Sequence, residues 1–455
     1  MTHRSPVELE RIRVLADPPT RRGRYVLYWM EAAQRGSWNP ALEHAVAWAD
    51  ELDLPVLALF ALPGDEPGAT LRSRAFLVGG LAEARDVLRE QGIRLLVRVG
   101  DPPEVVLDLA REAAAVVTDC GYLRQQRAWR REVASGAPCP VVEVEGEVVV
   151  PVALAYPRQA WSAAVLRRRL APLLPRFLHP LPDRTPRRSS LGLGIGPEDP
   201  VDLTALLAGL PLDRSVPPVP LVPGTAAARA RLARFIADGL PRYAEGRNDP
   251  STPATSGLSP YLHFGQISPV EVAWRAAQVG GPGAEAFLEE LVVRRELAIN
   301  FVHYNPRYDG FDGLPAWAQE TLARHAADPR PALYSPEALE RGETEDPIWN
   351  AAQTELRRTG TIHGYLRMYW GKQFLLWTAD PGEAFRAALY LNNKYALDGP
   401  DPSSFAGVAW CFGLHDRPFP ERPVWGKIRP MTRRGIEAKF DLGPYLARVG
   451  DPKEV

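Results

Sequence analysis

The sequence predicts an α/β domain with a parallel sheet, followed by an all-helical domain. Two observations indicate the first domain: short apolar runs recur between residues 24 and 150, and stretches of helical periodicity separate them. Because a strand that is buried on both faces is apolar throughout, this alternation is typical of β-α-β units. A third observation indicates the second domain: from about residue 226 onward, helical periods dominate and strand signals vanish. We therefore predict a Rossmann-like domain and a helical domain in one chain.

The individual elements follow from the same periodicities. The predicted strands are RYVLYWM, LPVLALFAL, IRLLVRV, AAVVTD and CPVVEV. In the first domain, helices are expected near 39–52, 71–91, 102–113 and 122–134. The turn VGDPPEVV fits a strand end followed by a helix with proline in its first turn. In the second domain, helices are expected near 226–239, 269–278, 283–303, 315–326, 336–341, 348–359, 361–378, 382–392 and 430–439.

Proline content indicates the boundary between the two domains. Residues 172–223 contain 12 prolines in 52 residues, whereas the whole chain contains 46 in 455. Proline disfavours helices and central strands, so this segment is expected to be a surface connection. We predict an N-terminal extension at 1–23, the α/β domain at 24–171, a proline-rich linker at 172–225 and the helical domain at 226–455.

Composition excludes several classes of protein. The chain has a net charge of −1, and no stretch approaches the apolar run of a membrane helix. The N-terminus lacks the apolar core of a signal peptide. Cys120, Cys139 and Cys411 are far apart, which fits a reducing compartment. We expect a cytoplasmic protein with no membrane partner, in which any DNA contact needs a local basic patch.

The segment TIHGYLRMYWGKQFLLWT, residues 361–378, is predicted to form a buried helix that contains an arginine. Trp370 and Trp377 are seven residues apart, so they project from one face about 10 Å apart. A pair of core aromatics is the ordinary interpretation. Arg367 needs a carboxylate or an acceptor-rich ligand, because an unpaired buried charge is costly. Asp398, in YALDGPDP, is a candidate partner.

A second segment, RNDPSTPATSGLSPYLHFGQIS, is rich in hydroxyl groups. Thr255, Ser256 and Ser259 surround Gly257, which permits close approach of a ligand to the backbone. Ser259 can cap a helix whose first position is Pro260, and the N–H groups of a helix start favour phosphate. The alternative is an ordinary helix cap without a ligand.

A third segment, EELVVRRELAINFVHYNP, places polar residues along one helical side. Glu289, Glu296, Asn300 and His303 are spaced by seven, four and three residues. A solvated face is the ordinary interpretation. The aromatic tail FVHYNPRYDGF disfavours it and leaves a buried polar site open.

Two further patterns each allow two interpretations. Asn392 and Asn393 either end a helix or present a donor and an acceptor to a heterocycle. Residues 427–439 contain five basic residues and one acid, Glu437, so they form either a phosphate-contacting patch or a solvated surface. The chain has no metal-ligand spacing, no P-loop and no G-x-G-x-x-G after its first strand, and GLGIG at 192–196 is assigned to the linker.

Together, these segments resemble the class II cyclobutane pyrimidine dimer photolyases of the photolyase/cryptochrome family. The resemblance covers nearly the whole chain from residue 24. Its motifs are RYVLYWMEAAQRGSWNPALEHA, LSPYLHFGQIS, VRRELAINFVHYNPRYD, DPIWNAAQTELRRTGTIHGYLRMYWGKQFLLWT, YLNNKYALDGPDP and HDRPFPERPVWGKIRPM.

The resemblance implies an N-terminal antenna domain and a C-terminal helical domain that binds FAD. It implies light-driven repair of pyrimidine dimers in DNA, by electron transfer from photoexcited, reduced and anionic FAD to a flipped-out dimer. The antenna domain in this family binds a deazaflavin, another chromophore or none, and no motif decides between these. We expect the protein to be a monomer.

The resemblance also assigns roles to individual residues. The cofactor-binding residues are Thr255, Ser256, Gly257, Leu258 and Ser259 at the FAD phosphates, Tyr243 nearby, Arg367 and Asp398 beside the flavin ring, and Asn392 at its N5. The catalytic residues are Glu296, Met368 and Trp410 in the dimer pocket, and Trp370 as an electron relay supplied by Trp349 and Tyr334.

Two other functions compete with repair. A cryptochrome-like photoreceptor would bind flavin and signal without repairing DNA. However, Glu296, Met368 and Trp410 match the repair pattern. A dark redox flavoenzyme would use a nicotinamide, and the missing G-x-G-x-x-G disfavours it.

Overall fold

The computed structural model describes residues 6–19, 22–196 and 202–450. Parts of the predicted extension, linker and helical domain, at 1–5, 20–21, 197–201 and 451–455, lie outside the described residues. The chain forms two compact units. The first comprises Met1–Ala155, Leu170–Ala233 and Leu258–Gln278, and the second comprises Tyr156–Arg169, Arg234–Gly257 and Val279–Val455. The boundaries predicted from proline content stay a prediction.

The first unit is built on a six-stranded sheet. Its strands are β1 (Ile12–Ala16), β2 (Tyr25–Trp29), β3 (Val56–Pro63), β4 (Arg94–Gly100), β5 (Ala113–Asp119) and β6 (Val141–Val144). Their order is β1-β6-β5-β2-β3-β4, and every pair is parallel except β1 with β6. The predicted parallel sheet is therefore confirmed. Strand β1 was not predicted, because this partly exposed edge strand has no continuous apolar run.

The order of the parallel strands explains why this unit is Rossmann-like. Strands β3 and β4 lie on one side of β2, and β5 and β6 lie on the other, so the connections reverse direction between β2 and β5. All five residues of β2 and all seven of β5 are buried, which accounts for their largely apolar sequences. The core of the unit includes Leu27, Trp29, Leu59 and Val116.

The other regular secondary structure is mainly α-helical. In chain order they are α1 (Pro40–Leu52), α2 (Leu71–Glu90), α3 (Pro102–Ala110), α4 (Arg124–Gly136), α5 (Val152–Ala155), α6 (Ala163–Leu170), α7 (Leu174–Phe177), α8 (Thr225–Arg234), α9 (Tyr243–Gly246), α10 (Ser259–His263), α11 (Pro269–Val279), α12 (Gly281–Leu288), α13 (Arg295–Tyr304), α14 (Ala316–Arg324), α15 (Pro336–Arg341), α16 (Pro347–Thr359), α17 (Gly364–Trp377), α18 (Pro381–Tyr395), α19 (Pro402–Cys411), α20 (Arg433–Glu437) and α21 (Gly443–Gly450).

The helical character of the second unit confirms the second half of the fold prediction. Four helices there, α6, α9, α19 and α21, were not predicted. Helix α19 begins at the last residue of the sequence DGPDP, whose glycine and prolines are typical of a loop. Pro402 nevertheless occupies the first turn, and Asp401 caps the helix. The segments Phe235–Gly239 and Glu289–Arg294 are π-helical. No helix within the described ranges is long and apolar enough to cross a membrane.

The proline-rich segment is partly integrated into the first unit. Ser190 is fully buried, its N–H donates to the Gly92 carbonyl at 2.9 Å, and its Oγ accepts from the Arg94 N–H at 2.7 Å. Phe177 and Val216 are also buried. Residues 192–196 lie in neither a strand nor a helix, as expected for the GLGIG sequence.

Asp119, at the end of β5, secures the loop that follows β2. Its carboxylate accepts hydrogen bonds from the Tyr28 hydroxyl at 2.8 Å and from the N–H groups of Glu31 at 3.0 Å and Ala33 at 3.2 Å. A further bond comes from the Ala32 N–H. Because the side chain is fully buried, desolvation raises the pKa of Asp119. These bonds join the ends of two adjacent central strands.

We expect Asp119→Ala to lower the free energy of unfolding by about 3 kcal/mol, because it leaves several buried donors without an acceptor. Equilibrium urea denaturation followed by circular dichroism measures this change. Asp108→Ala is the matched control, since the Asp108 side chain is 73% exposed and pairs with the exposed Arg111. Its expected effect is below about 0.5 kcal/mol. Equal effects of the two variants would contradict the structural role of Asp119.

Candidate active site

Helix α17 is the central element of the candidate site. It begins after His363, whose Nδ1 accepts the Tyr365 N–H at 3.3 Å. It ends at Trp377, and the hydroxyl of the next residue, Thr378, donates to the Phe374 carbonyl at 2.9 Å. Helices α16, α18 and α19 all pack against it. A helix enclosed on several sides needs apolar residues around most of its circumference, which its sequence supplies.

Arg367 lies on α17 and pairs with Asp398, as the sequence predicted. Nη1 and Nη2 donate to Oδ1 at 3.1 Å, and Nη2 donates to Oδ2 at 3.2 Å. The two side chains are 18% and 12% exposed, so the pair is largely desolvated. The carboxylate fixes the plane of the guanidinium, and a planar cation held in this way suits an anionic ligand.

Asn392 lies in the last turn of α18 and is buried. Its Nδ2 donates to the Asn393 side-chain carbonyl at 3.1 Å. A side chain at Gly399 would contact Ser404 Oγ at 3.2 Å, Asn393 Oδ1 at 3.3 Å and Asn392 Nδ2 at 3.5 Å. The two amides therefore line a narrow space next to the turn that contains Asp398. Asn392 lies within the last turn of the helix and does not end it. Its position near the helix end therefore does not prevent its amide from facing a ligand.

Four aromatic rings form a continuous series in the second unit. The rings of Trp370 and Trp349 are stacked with centroids 6.2 Å apart. Trp349 meets Trp377 edge to face at 5.3 Å, and Trp377 meets Tyr334 at 5.5 Å. Trp370 and Trp349 are buried, whereas Tyr334 is partly exposed. The series thus connects the interior of the unit with its surface.

Hydrogen bonds fix the orientation of the inner indoles. Trp370 Nε1 donates to Gln353 Oε1 at 2.9 Å, and Trp349 Nε1 donates to the Trp370 carbonyl at 3.0 Å. Gln353 is itself held by donating to the Glu340 carbonyl at 3.0 Å. Oxygen acceptors at the indole N–H stabilise positive charge on the ring. These contacts therefore suit rings that lose an electron transiently.

Trp377 was not among the residues predicted to relay electrons. The structure places it between Trp349 and Tyr334, so it belongs to the ring series. Its seven-residue spacing from Trp370 was a usable signal. The ordinary explanation, two core aromatics on one helix face, concealed it.

Helix α13 presents Glu296 and Asn300 to the interior, so the solvated-face interpretation of this segment is wrong. The two residues are only 3% and 1% exposed. Asn300 accepts the Ala160 N–H at 2.7 Å and donates to the Tyr156 carbonyl at 3.2 Å. Glu289 lies in the π-helical turn and pairs instead with Arg167. The extra residue in that turn breaks the simple helical spacing on which the prediction relied.

Met368 lies at the contact between α17 and α19, the helix that contains Trp410. The Met368 side chain lies beside Gly407, and the Cys411 thiol donates to the Met368 carbonyl at 3.7 Å. Trp410 is partly exposed, and its ring lies 4.6 Å from the Lys372 ammonium. Helix α13, which contains Glu296, also packs against α19. Glu296 and Met368 thus lie on two helices that both pack against α19, the helix that contains Trp410.

The hydroxyl-rich loop crosses the division between the two units, which falls between Gly257 and Leu258. In the second unit, Thr255 is exposed and Gly257 has a φ of +61°. In the first unit, Leu258 is buried and occupies the N-cap of α10, and Ser259 is its first residue. The prediction that Ser259 caps this helix is wrong, because no side chain makes the cap hydrogen bond.

Tyr243 is buried in the second unit among aromatic rings. Phe235 lies 5.7 Å and Phe287 5.4 Å from its ring, and the Arg247 guanidinium lies 5.9 Å away. Burial raises the pKa of Tyr243 to about 12, so its hydroxyl stays protonated. Arg247 in turn pairs with Glu290. The residue is therefore available as a neutral donor next to a cation.

The basic segment 427–439 is partly neutralised within the structure. Arg429 binds the Asp416 carboxylate through two bonds of 2.8 Å, and Arg433 binds Glu437 at 2.8 Å. Lys439 lies 4.5 Å from the Tyr365 ring. Fewer free cations are therefore available to phosphates than the sequence suggested.

The residues around Arg367 fit a flavin. A largely desolvated guanidinium, two amides and oxidisable indoles lie on adjoining helices, α17 and α18, within one unit. Such a donor set suits a planar heterocycle that becomes negatively charged. Within the described residues, no group of histidine, cysteine, aspartate or glutamate could hold a metal ion.

Comparisons with known proteins agree with this geometry. A family model for DNA photolyase matches residues 26–186. The deoxyribodipyrimidine photo-lyase of Methanothermobacter thermautotrophicus is 46% identical over 444 residues, which cover 97% of this chain and 98% of that protein.

Two solved structures have a similar fold. A bacterial class III photolyase from Agrobacterium tumefaciens has a TM-score of 0.72 and 22% identity, covering 95% of this chain and 87% of that one. An archaeal photolyase from Sulfolobus tokodaii with two FAD molecules has a TM-score of 0.66 and 19% identity, covering 86% and 83%. Since the similarity to the Methanothermobacter protein spans almost both chains, this chain belongs to the DNA photolyase family.

Proposed function

We propose that this protein is a class II photolyase that uses light to repair cyclobutane pyrimidine dimers in DNA. The proposal rests above all on the Arg367–Asp398 pair, which presents an oriented cation on the same unit as two amides and a series of indoles. The relative from Methanothermobacter is named a deoxyribodipyrimidine photo-lyase, and the segments that resemble class II photolyases extend over both units. DNA containing dimers is the proposed partner, and the protein is proposed to act as a monomer.

We propose FAD as the cofactor. When bound, FAD supplies the light-excited electron that splits the dimer. Arg367 balances negative charge beside the ring, Asn392 offers its amide at the ring edge, and Tyr243 with the loop 255–259 holds the remainder of the molecule. The α/β domain is proposed to be the antenna domain. An absorption spectrum of the native protein would reveal a deazaflavin or another second pigment.

The other named residues divide into two groups. Glu296, Met368 and Trp410 are proposed to receive the flipped-out dimer, because the helices that contain them meet at α19. Extruding the dimer costs a few kcal/mol, and less where pairing is already damaged. Trp370, Trp349, Trp377 and Tyr334 are proposed to pass an electron inward along their ring contacts.

We expect the purified protein to remove a cyclobutane thymine dimer from an oligonucleotide under blue light but not in darkness. Chromatography of the oligonucleotide before and after illumination measures the loss of dimer. An undamaged oligonucleotide of the same sequence is the control. A protein that binds FAD but leaves the dimer intact in the light would instead support the photoreceptor function.

We expect Trp370→Phe to stop photoreduction of oxidised flavin, because phenylalanine is not oxidised at the innermost ring. Repair should persist when the flavin is reduced chemically. Absorption spectra during illumination with an external reductant measure the first effect. Trp425→Phe is the control, since Trp425 is another buried tryptophan of the second unit. Normal photoreduction in the Trp370 variant would exclude Trp370 from the relay.

We expect Arg367→Ala to weaken FAD binding about tenfold, because it removes the cation and leaves Asp398 largely buried without its partner. Flavin retention during dialysis and direct titration of the apoprotein measure this change. Arg358→Ala, which removes an exposed arginine bonded to the Val449 carbonyl, is expected to bind FAD normally. Unchanged affinity in the Arg367 variant would contradict its proposed role.

A further inference from the structure

Lys372 is a fully buried lysine on α17, one turn beyond Met368. Its Nζ donates to the Cys411 carbonyl at 3.0 Å and lies 4.6 Å from the centre of the Trp410 ring. A buried ammonium requires compensation, because the loss of hydration is costly. Here a carbonyl and an indole face supply that compensation at close range. The indole therefore stabilises the buried ammonium, and the ammonium in turn restrains the indole.

A second cation lies near the same ring. The Arg429 guanidinium is 5.9 Å from the centre of the Trp410 ring and is held by the Asp416 carboxylate. The Asp416 side chain is only 7% exposed, so this arrangement is fixed. Trp410 nevertheless stays partly accessible to solvent. Its indole is thus restrained by cations while part of its surface can meet a ligand.

The surroundings of Trp410 differ from those of the ring series. Trp370 and Trp349 donate their Nε1–H groups to oxygen acceptors, which favours loss of an electron. Trp410 has an ammonium over its ring, which disfavours positive charge there. Aromatic side chains that are not oxidised commonly serve proteins as stacking surfaces for extruded bases. The cations therefore suit a binding role rather than an electron-transfer role.

We propose that Lys372 is a positioning residue, whose ammonium fixes the Trp410 indole as the stacking surface for the pyrimidine dimer. The inference deepens the proposed function and rests on it. Lys372 does not contact the dimer in this proposal. It acts through the ring, by limiting the orientations that the indole samples before DNA binds.

The charge of Lys372 is expected to change in an accessible pH range. Burial lowers its pKa to about 8. The groups that face it are the Cys411 thiol, the Asp416 carboxylate and the Arg429 guanidinium. Burial raises the pKa of Cys411 to about 11, Arg429 lowers the pKa of Asp416, and Asp416 raises that of Arg429. Of these groups, only Lys372 loses a proton between about pH 7 and pH 9.

The test measures binding of the FAD-containing protein in darkness to an oligonucleotide with one cyclobutane thymine dimer. We expect Lys372→Met to raise the dissociation constant about tenfold and to leave binding of the undamaged oligonucleotide unchanged. Lys394→Met is the matched control. Lys394 also lies over aromatic rings, those of Tyr390 and Tyr395, so its loss reports any general effect of removing such a contact.

A double-mutant cycle shows whether Lys372 acts through Trp410. Trp410→Leu should weaken dimer binding, and adding Lys372→Met in that background should have no further effect. In the wild-type protein, affinity for the dimer should fall as pH rises from about 7 to about 9, because the ammonium loses its proton. This pH dependence should be absent from Trp410→Leu. The comparison of these two proteins tests the role of Lys372 even if Lys372→Met does not fold.

Two outcomes separate failure of this inference from failure of the proposed function. If the wild-type protein binds damaged and undamaged oligonucleotides equally, the proposed function fails. If it prefers the dimer, and Lys372→Met binds the dimer as tightly as wild type, only the role of Lys372 is overturned. Additive effects of Lys372→Met and Trp410→Leu would likewise overturn it, as would the same pH dependence with and without the indole.

Discussion

The structure of the helical unit depends on how buried positive charge is compensated along α17. Arg367 is neutralised by Asp398, whereas Lys372 is stabilised by the Cys411 carbonyl and the Trp410 ring. Both side chains come from one helix that is enclosed by α16, α18 and α19. Because each cation needs its own partners, the helix can pack in only one rotational setting. The same setting places Trp370 against Trp349 and Met368 against α19.

Two classes of indole are therefore distinguished by their electrostatic environment. Trp370 and Trp349 have oxygen acceptors at their N–H groups, and Trp410 has cations beside its ring. The first class suits charge movement, and the second suits recognition of a planar base. One short stretch of helix contributes to both, since Lys372 follows Trp370 by two residues. Residue type alone would not separate these roles, because all three side chains are tryptophan.

The sequence was most informative where the type of one residue required a particular kind of partner. Arg367 in an apolar helix required a partner, and Asp398 was the correct choice. Apolar runs predicted five strands, because burial on both faces leaves a clear pattern. The sequence was less informative where a contact joins distant segments. Lys372 and Trp410 are 38 residues apart, and α19 was concealed by its prolines and glycine. Strand β1 lacked a signal because edge strands bury only part of their surface.

The π-helical turn at Glu289–Arg294 has a consequence for the face that the following helix buries. A π turn accommodates one more residue than an α turn, so it shifts the faces of the following helix by about 100° around its axis. In this molecule the rotated part is α13, with Glu296 and Asn300 buried. A single-residue insertion or deletion there would change which side chains the helix offers to the interior. The buried face of α13 is therefore sensitive to chain length at this turn as well as to substitutions within the helix.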